Sequence, residues 1–412
     1  MSAPRLREQV RRIPRAAWIL FGAAFVNRAG TFVFPFLTLY LTDRGEPPTA
    51  AGVAVALYAV GAVPARLAGG LIADRIGRRN AIASSMIGAA GLTLLLWRSS
   101  SLAAIYACVV ALGLVADIAQ PAAKALIADL LVPELRVTGF TLWRIATNAG
   151  WAAGLAIGGL LVDRSFDLLF LGDAATSFAF GAIALAFLPH GVRTARHEER
   201  GLPSARREIL ADRGFLAFLA STFLGGLVYS QNIAALPLHI RDLGYPASTY
   251  GLLQSLNGVL VVTVEVVVIS VTRRFPRPAV FAVGQGLVGV AFLSLVGARS
   301  IPALVAMVAV WTLGEMTIRP VASATVADRA PRHARGRYQA AENTALGLSL
   351  LLGPVAGTAL YGWRPDVLWI ACGVVGACSA LAALGLGRSP APHARPASSE
   401  APDPFDGPGA SE

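Results

Sequence analysis

Twelve apolar stretches of roughly 18–31 residues constrain this chain more than any other feature, because each as a helix covers about 30 Å of hydrocarbon at 1.5 Å per residue. They run approximately 16–41, 49–73, 80–97, 101–131, 139–162, 167–188, 214–240, 247–271, 278–297, 301–327, 338–360 and 366–386 (spans 1 to 12). A transmembrane β-barrel would show short alternating segments instead. Only 14% of the 412 residues are charged, against about 25% in ordinary soluble domains, and mean hydropathy is +0.61. The expected fold class is all-α: a polytopic membrane protein of twelve transmembrane helices.

The formal net charge of +11 would fit a nucleic-acid binder, but topology accounts for it better. With the N-terminus inside, 24 arginines fall on the cytoplasmic side and six on the outer loops: Arg44, Arg98, Arg164, Arg241, Arg299 and Arg364. This is the positive-inside asymmetry, and it puts both termini in the cytoplasm. The basic start MSAPRLREQVRRIPR followed by an apolar run resembles a signal peptide. The run is too long for one and lacks a small-residue cleavage site, so an uncleaved first span is expected. Cys108, Cys372 and Cys378 all fall inside spans, and Cys372 and Cys378 point to different helix faces, which implies neither a disulfide nor a metal site. Having 34 Arg to one Lys, with abundant Ala and Gly, hints at a high-GC bacterial genome and hence a bacterial inner membrane.

Displacing the chain by 199 residues aligns its punctuation. Asp43–Pro47 (DRGEP) meets Asp242–Pro246 (DLGYP), Gly52 meets Gly251, Pro121 meets Pro320, Asp129 meets Asp328, Arg136 meets Arg335, and Gly154–Gly158 meets Gly353–Gly357. Two six-helix bundles follow, related by a pseudo-twofold axis along the membrane normal. The expected parts are a cytoplasmic N-terminus (1–15), an N-terminal bundle (16–188), a cytoplasmic linker with a short surface helix (189–213), a C-terminal bundle (214–386) and a disordered cytoplasmic tail rich in Pro, Ala and Ser (387–412).

After span 2 stands GGLIADRIGRRNAI. Its Gly70, Asp74, Arg75, Gly77, Arg78 and Arg79 resemble the signature loop between helices 2 and 3 of the major facilitator superfamily. Read physically, Gly70 allows close helix approach, Asp74 ends span 2 at the inner surface, and Gly77 permits a tight turn. The resemblance implies a conformational latch built from Gly70, Asp74, Arg75, Gly77, Arg78 and Asp129, closing the inner side in the outward-facing state. The second-half loop Ile269–Arg277 lacks the Gly and the Asp. In span 5, Gly150–Gly159 (GWAAGLAIGG) is similar to the antiporter motif of the drug:proton exporters, with Leu155 in place of its proline. Gly150, Gly154, Gly158 and Gly159 are expected to form a packing face for a neighbouring helix.

Ten ionisable residues lie within the spans: Arg28, Arg66, Lys124, Arg144, Arg319, Asp117, Asp173, Glu265, Glu315 and Glu342. Their signs cancel. Spans 3, 9 and 12 carry none and span 6 only Asp173, and the superfamily places these four helices outermost against lipid. Intramembrane charge marks function. Residue counts put Arg28, Asp117 and Glu315 about 20–24 Å from the outer ends of spans 1, 4 and 10. Asp117 and Glu315, 198 apart, supply one carboxylate per half. A carboxylate whose hydration and neighbouring charges change between two conformations is suited to load a proton on one side and release it on the other.

Asp117 and Glu315 are therefore the first proton-coupling candidates and Glu265 the next, with Arg28, Arg144 and Arg319 as countercharges. Glu315 and Arg319 could simply pair along one helix, and Asp117 could pair statically with Arg28 or Arg144. Asp173 reads as structural, and Arg66 with its repeat-mate Glu265 as gating or packing charges. Asn27, Arg28, Gln120, Tyr229, Gln231, Asn232, Asn257 and Trp311 are candidates for the substrate cavity. No metal-ligand cluster, nucleophile triad or Walker loop is seen. The expectation is a non-enzymatic secondary transporter needing no cofactor beyond the proton gradient. Its partners would be a small organic substrate, protons and the bilayer, with no nucleic acid and no obligatory protein partner, as a monomer. Export of amphipathic or cationic compounds is the leading reading, uptake of a sugar, organic anion or other nutrient the alternative, and a membrane-embedded enzyme or receptor ranks last.

Overall fold

The computed structural model describes residues 8–191, 204–331 and 334–388. Residues 1–7, the middle of the linker and nearly all of the expected disordered tail lie outside the described residues. The linker's described part includes one short helix, Ser204–Ala211.

Twelve helices are long and apolar enough to cross a membrane: Arg15–Asp43, Pro48–Arg66, Arg78–Arg98, Leu102–Leu130, Pro133–Val162, Phe166–Phe187, Arg213–Ala234, Ala247–Thr272, Arg277–Val296, Ile301–Arg329, Gly336–Trp363 and Pro365–Leu384. They coincide with the twelve apolar stretches, and among the described residues there is no strand. The ends run past the apolar stretches where local chemistry allows it. The helix of span 2 continues to Ile76. Span 5 starts at Pro133, whose missing N–H costs nothing at a first helical position, and Glu134 sits in the first turn where negative charge is favoured.

Spans 1, 4 and 7 are broken rather than straight. Span 1 divides into Arg15–Ala29 and Val33–Asp43, and span 7 breaks near Ser230 and again at Ala235. Span 4 breaks at Asp117–Ile118. Pro35 and Pro237 sit in the first turns beyond the breaks, where a missing N–H removes no intrahelical hydrogen bond. The amides exposed at the span 1 break are capped from a distance: the Asp173 carboxylate accepts from Phe32 N–H (3.1 Å) and Val33 N–H (3.0 Å). Asp173 thus closes a helix N-terminus, the structural role its position near the outer end of span 6 suggests.

With the arginine-rich ends taken as inner, three apolar cores reveal the conformation. The outer core draws on both halves, with Phe36 and Leu37 packed among Tyr250, Leu253 and Trp311. The two inner cores are separate, one built around Leu20, Ile82, Leu126 and Phe180 and the other around Phe215, Phe218, Phe281 and Tyr338. The halves therefore meet on the outer side and part on the inner side.

The 199-residue repeat reappears as paired contacts. A Cβ placed on Gly52 would lie 2.6 Å from the Pro354 carbonyl oxygen, and one on Gly251 would lie 2.2 Å from that of Leu155. These are the same contact under the repeat, made once between spans 2 and 11 and once between spans 8 and 5. At the outer end Arg241 Nη1 donates to Thr42 Oγ1 at 2.6 Å. These two residues are themselves 199 apart and so face each other across the pseudo-twofold axis.

Candidate functional site

Each half presents one midplane carboxylate with an arginine on it. In the C-terminal half, Glu315 bonds Arg319 one turn along the same helix at 2.7 Å. It also accepts from Tyr229 Oη (3.1 Å) and Asn257 Nδ2 (3.1 Å), while Asn257 reaches Thr312 as well. Its partners thus come from spans 7, 8 and 10, which fixes the carboxylate in one orientation. Trp311 is fully buried and packs edge-on behind Tyr229, ring centroids 5.9 Å apart.

In the N-terminal half, Asp117 sits at the break of span 4 and is bridged by Arg66 Nη2 at 3.0 Å. The expected countercharge, Arg28, lines the same cavity as Asp117 without an ion pair to it. Direct pairing falls to Arg66, which the sequence offers only as one more intramembrane base. Both Arg28 and Asp117 line a polar cavity of about 90 Å³ inside the N-terminal bundle, together with Asn27, Gln120, Tyr58, Thr147, Asp173 and Ser177. Asn27 donates to Ser177 Oγ at 3.2 Å. Tyr58, Thr147 and Ser177 carry no charge, and no sequence pattern singles them out.

The third pair crosses between the halves: Arg144 of span 5 meets Glu265 of span 8 at 3.5 Å, with the arginine side chain 64% exposed. Glu342 accepts from Gln339 at the inner end of span 11. Gln231 does not face a cavity. It donates to the Leu227 and Gly353 carbonyls and to Ser230 Oγ, clamping span 7 to span 11. Asn232 is buried, and its carbonyl oxygen accepts from Gln254.

At the inner surface Gly77 adopts φ +89°, a conformation glycine alone adopts at no steric cost. The turn brings Arg78 onto Asp129 and, at 3.6 Å, onto Asp74. All three belong to the N-terminal half, so in this conformation the pairing stays within one bundle. Gly70 is not a point of close approach, since a Cβ there would meet open space. Its neighbour Gly69 is, because a Cβ on it would lie 2.6 Å from Pro121 Cγ. The second-half loop, which lacks the Gly and Asp, still repeats the central pair: Arg277 binds Asp328, both 199 residues on from Arg78 and Asp129.

The glycine stripe of span 5 packs against two helices. Cβ atoms on Gly150 and Gly154 would lie 2.5 Å from the Phe25 carbonyl oxygen and 2.8 Å from that of Arg28, and Gly158 abuts the rings of Phe32 and Phe36. Gly159 instead meets Ser248 of span 8, across the halves. The repeat copies the first face: Gly353 meets Ser230 and the Leu227 carbonyl, and Gly357 meets Gln231.

Known proteins share this architecture. The sequence profile of the Major Facilitator Superfamily matches residues 19–263 and 218–408. The chain is 29% identical to the uncharacterized MFS-type transporter YttB of Bacillus subtilis, over 86% of this chain and 91% of that one. It is 26% identical to a Na(+), Li(+), K(+)/H(+) antiporter of Planococcus maritimus, over 84% and 89%. With the multidrug resistance protein MdtH of Aeromonas hydrophila it shares 24% identity over 91% and 95%. Among solved structures, a mutant of the nucleoside transporter NupG superposes with a TM-score of 0.79 at 14% identity, covering 90% of this chain and all of that one. A bacterial homolog of the human lysosomal transporter Spinster, in its inward-facing and unoccupied conformation, superposes at 0.67 and 14%, over 94% and 95%. Twelve spans in two repeat-related bundles, the signature loop after span 2 and these matches together show that the chain is a transporter of the major facilitator superfamily.

Proposed function

We propose that this transporter exports amphipathic organic compounds in exchange for protons, by alternating access of a site between its halves. The observation that carries the reading is the matched pair Asp117–Arg66 and Glu315–Arg319: one carboxylate per half, near-equivalent in the repeat, each bonded to a base that is itself half-exposed. Closing the inner side and opening the outer one changes the hydration of these carboxylates, which alters their proton affinity and couples proton movement to the conformational cycle. Asp117 and Glu315 are the proton carriers in this scheme, with Arg66 and Arg319 as their countercharges. Asn27, Gln120, Tyr229 and Asn257 contribute substrate contacts. The Asp74–Arg78–Asp129 cluster engages the C-terminal half when the inner side closes. The protein works as a monomer in a bacterial inner membrane with both termini in the cytoplasm, and the proton gradient is its energy source.

Two relatives, named as an antiporter and a multidrug resistance protein, support the direction. Transport by purified protein in liposomes under an imposed pH gradient tests it. Addition of exported compounds should release protons from preloaded vesicles, whereas a symporter would take them up with substrate and a uniporter would ignore the gradient. Asp117→Asn and Glu315→Gln should each abolish uphill transport while leaving the protein folded. Undiminished antiport in both variants would sink the assignment, and dependence on Na⁺ in place of ΔpH would reassign the ion.

A further inference from the structure

Proton coupling at Asp117 and Glu315 leaves two cations of the membrane interior without a task. Arg66, Arg144 and Arg319 are each held by a carboxylate. Arg28 and Lys124 form no ion pair or hydrogen bond with any described residue. Arg28 lines the cavity beside Asp117, and Lys124 lies seven residues further in along span 4, about 10 Å, and is exposed. Arg28, Arg66 and Lys124 all belong to the N-terminal half. Three bases of this half thus stand against two intramembrane carboxylates, Asp117 and Asp173. Asp173 keeps its charge while it caps the span 1 break, so one base of the three stays in excess.

The excess is confined to one half. The residues 199 positions on from Arg28 and Lys124 are Leu227 and Ser323, so the C-terminal half offers no matching cations. What it offers is the Tyr229 ring, backed by Trp311, beside a Glu315 already neutralised by Arg319. The N-terminal half therefore carries spare cations where the C-terminal half carries an aromatic pair. An unpaired guanidinium carried through a cycle that closes off water needs an anion supplied from outside the chain. Its planar fork of donors suits a carboxylate, sulfonate or phosphate oxygen pair.

We propose that the exported compound is an amphipathic organic anion, its acidic group held by Arg28 in the cavity of the N-terminal bundle, with Lys124 adding attraction from further along span 4. The inference rests on the export reading for its route, and it fixes the sign of the substrate's charge, which that reading leaves open.

Binding to the purified full-length protein in detergent tests the sign without any transport. The probes share one ring system: 1-naphthaleneacetate and 1-naphthalenesulfonate as anions, 1-naphthaleneacetamide as the neutral analogue and (1-naphthylmethyl)trimethylammonium as the cation, measured by calorimetric titration. Anions should bind at least tenfold tighter than the amide and the ammonium compound. Arg28→Gln should remove at least tenfold of the anion affinity and leave the amide unchanged. Arg28→Lys should restore part of it, and Lys124→Gln, at an exposed position, should weaken anions severalfold. Equal or tighter binding of the ammonium compound, failure of both anions to bind, or an anion preference that survives both glutamine variants overturns the proposal. Protons that move with the cation or the amide in liposomes would preserve the export reading while the anion inference fell. Tight anion binding without proton movement would do the reverse.

Discussion

Gly251→Ala should open the outer side of this transporter. A Cβ at Gly251 falls 2.2 Å from the carbonyl oxygen of Leu155 and 3.2 Å from Gly159 Cα, both backbone atoms. Reaching ordinary contact requires spans 5 and 8 to separate by about 1 Å. Overpacking of this kind costs about 1–3 kcal/mol. That cost falls on the outer-closed conformation alone, because the contact exists only where the two halves meet. The equilibrium should therefore move toward the outer-open conformation by a factor of about 5–160. Gly52→Ala adds the symmetry-related clash, 2.6 Å from the Pro354 oxygen and 1.9 Å from Thr358 Oγ1. The two sites share no partner, so the costs should add to about 2–6 kcal/mol in the double variant. Spin labels on Asp43→Cys and Arg299→Cys, in a chain with its three native cysteines replaced, report the separation of the outer ends by pulsed electron resonance. The single variants should gain a long-distance population and the double should be dominated by it. A distance distribution that stays at the wild-type value in a folded double variant refutes the argument that this helix contact holds the outer side shut.

Other expectations are equally specific. Glu265→Gln should alter the same distance distribution by less than fivefold, because an ion pair with so exposed an arginine contributes about 1 kcal/mol or less, and the small effect should vanish in high salt. Asp173→Ala leaves two buried amides of the span 1 break without an acceptor, so thermal unfolding in detergent should show a loss of about 2–4 kcal/mol, with Asp173→Asn losing less since one carbonyl oxygen remains. Breaking the buried Asp212–Arg329 pair (2.6 Å, side chains 1% and 9% exposed) by Arg329→Ala should cost about 3–5 kcal/mol.

Hydropathy locates all twelve helices because a span must be apolar along its whole length, and this signal needs no tertiary information. The repeat is legible for a similar reason: turn residues such as Gly52 and Gly251 are punctuation, visible one at a time. Partner choice is not. Depth along a helix suggests Arg28 or Arg144 as the mate of Asp117, and the structure gives it Arg66. Rotation about the helix axis decides among them, and near the break at Asp117–Ile118 residue counting loses track of that rotation. Gly70 fails for the same cause, since one residue's shift, about 100° around the helix, moves the close approach to Gly69. The Arg277–Asp328 pair is within reach of the sequence. Its two members stand 199 residues on from Arg78 and Asp129, but the missing Gly and Asp of the loop draw attention from the charges that persist.

The repeat also divides scaffold from function. Contacts that survive a displacement of 199 residues are those both halves need: the glycine approaches of Gly52 and Gly251, the stripes of Gly154 and Gly353, and the inner pairs Arg78–Asp129 and Arg277–Asp328. They set helix spacing and rigid-body motion, which are the same task in each bundle. Where the displacement fails, the chemistry of the two halves differs. Arg28 is matched by Leu227, Lys124 by Ser323 and Gln120 by Arg319, while the acids Asp117 and Glu315 stay near-equivalent. A symmetric pair of acids can share one job, the carriage of protons, in both halves. An asymmetric set of bases and aromatics cannot, and a substrate with two unlike ends is what such a set is shaped to orient. Exchanging the charge by Arg28→Leu with Leu227→Arg should therefore leave the fold and the proton-binding acids in place yet move the anion contact to the other half. Restored anion binding in that double variant, against its loss in Arg28→Leu alone, would show that the site reads charge in either half, whereas continued loss would tie the role of Arg28 to its own neighbours.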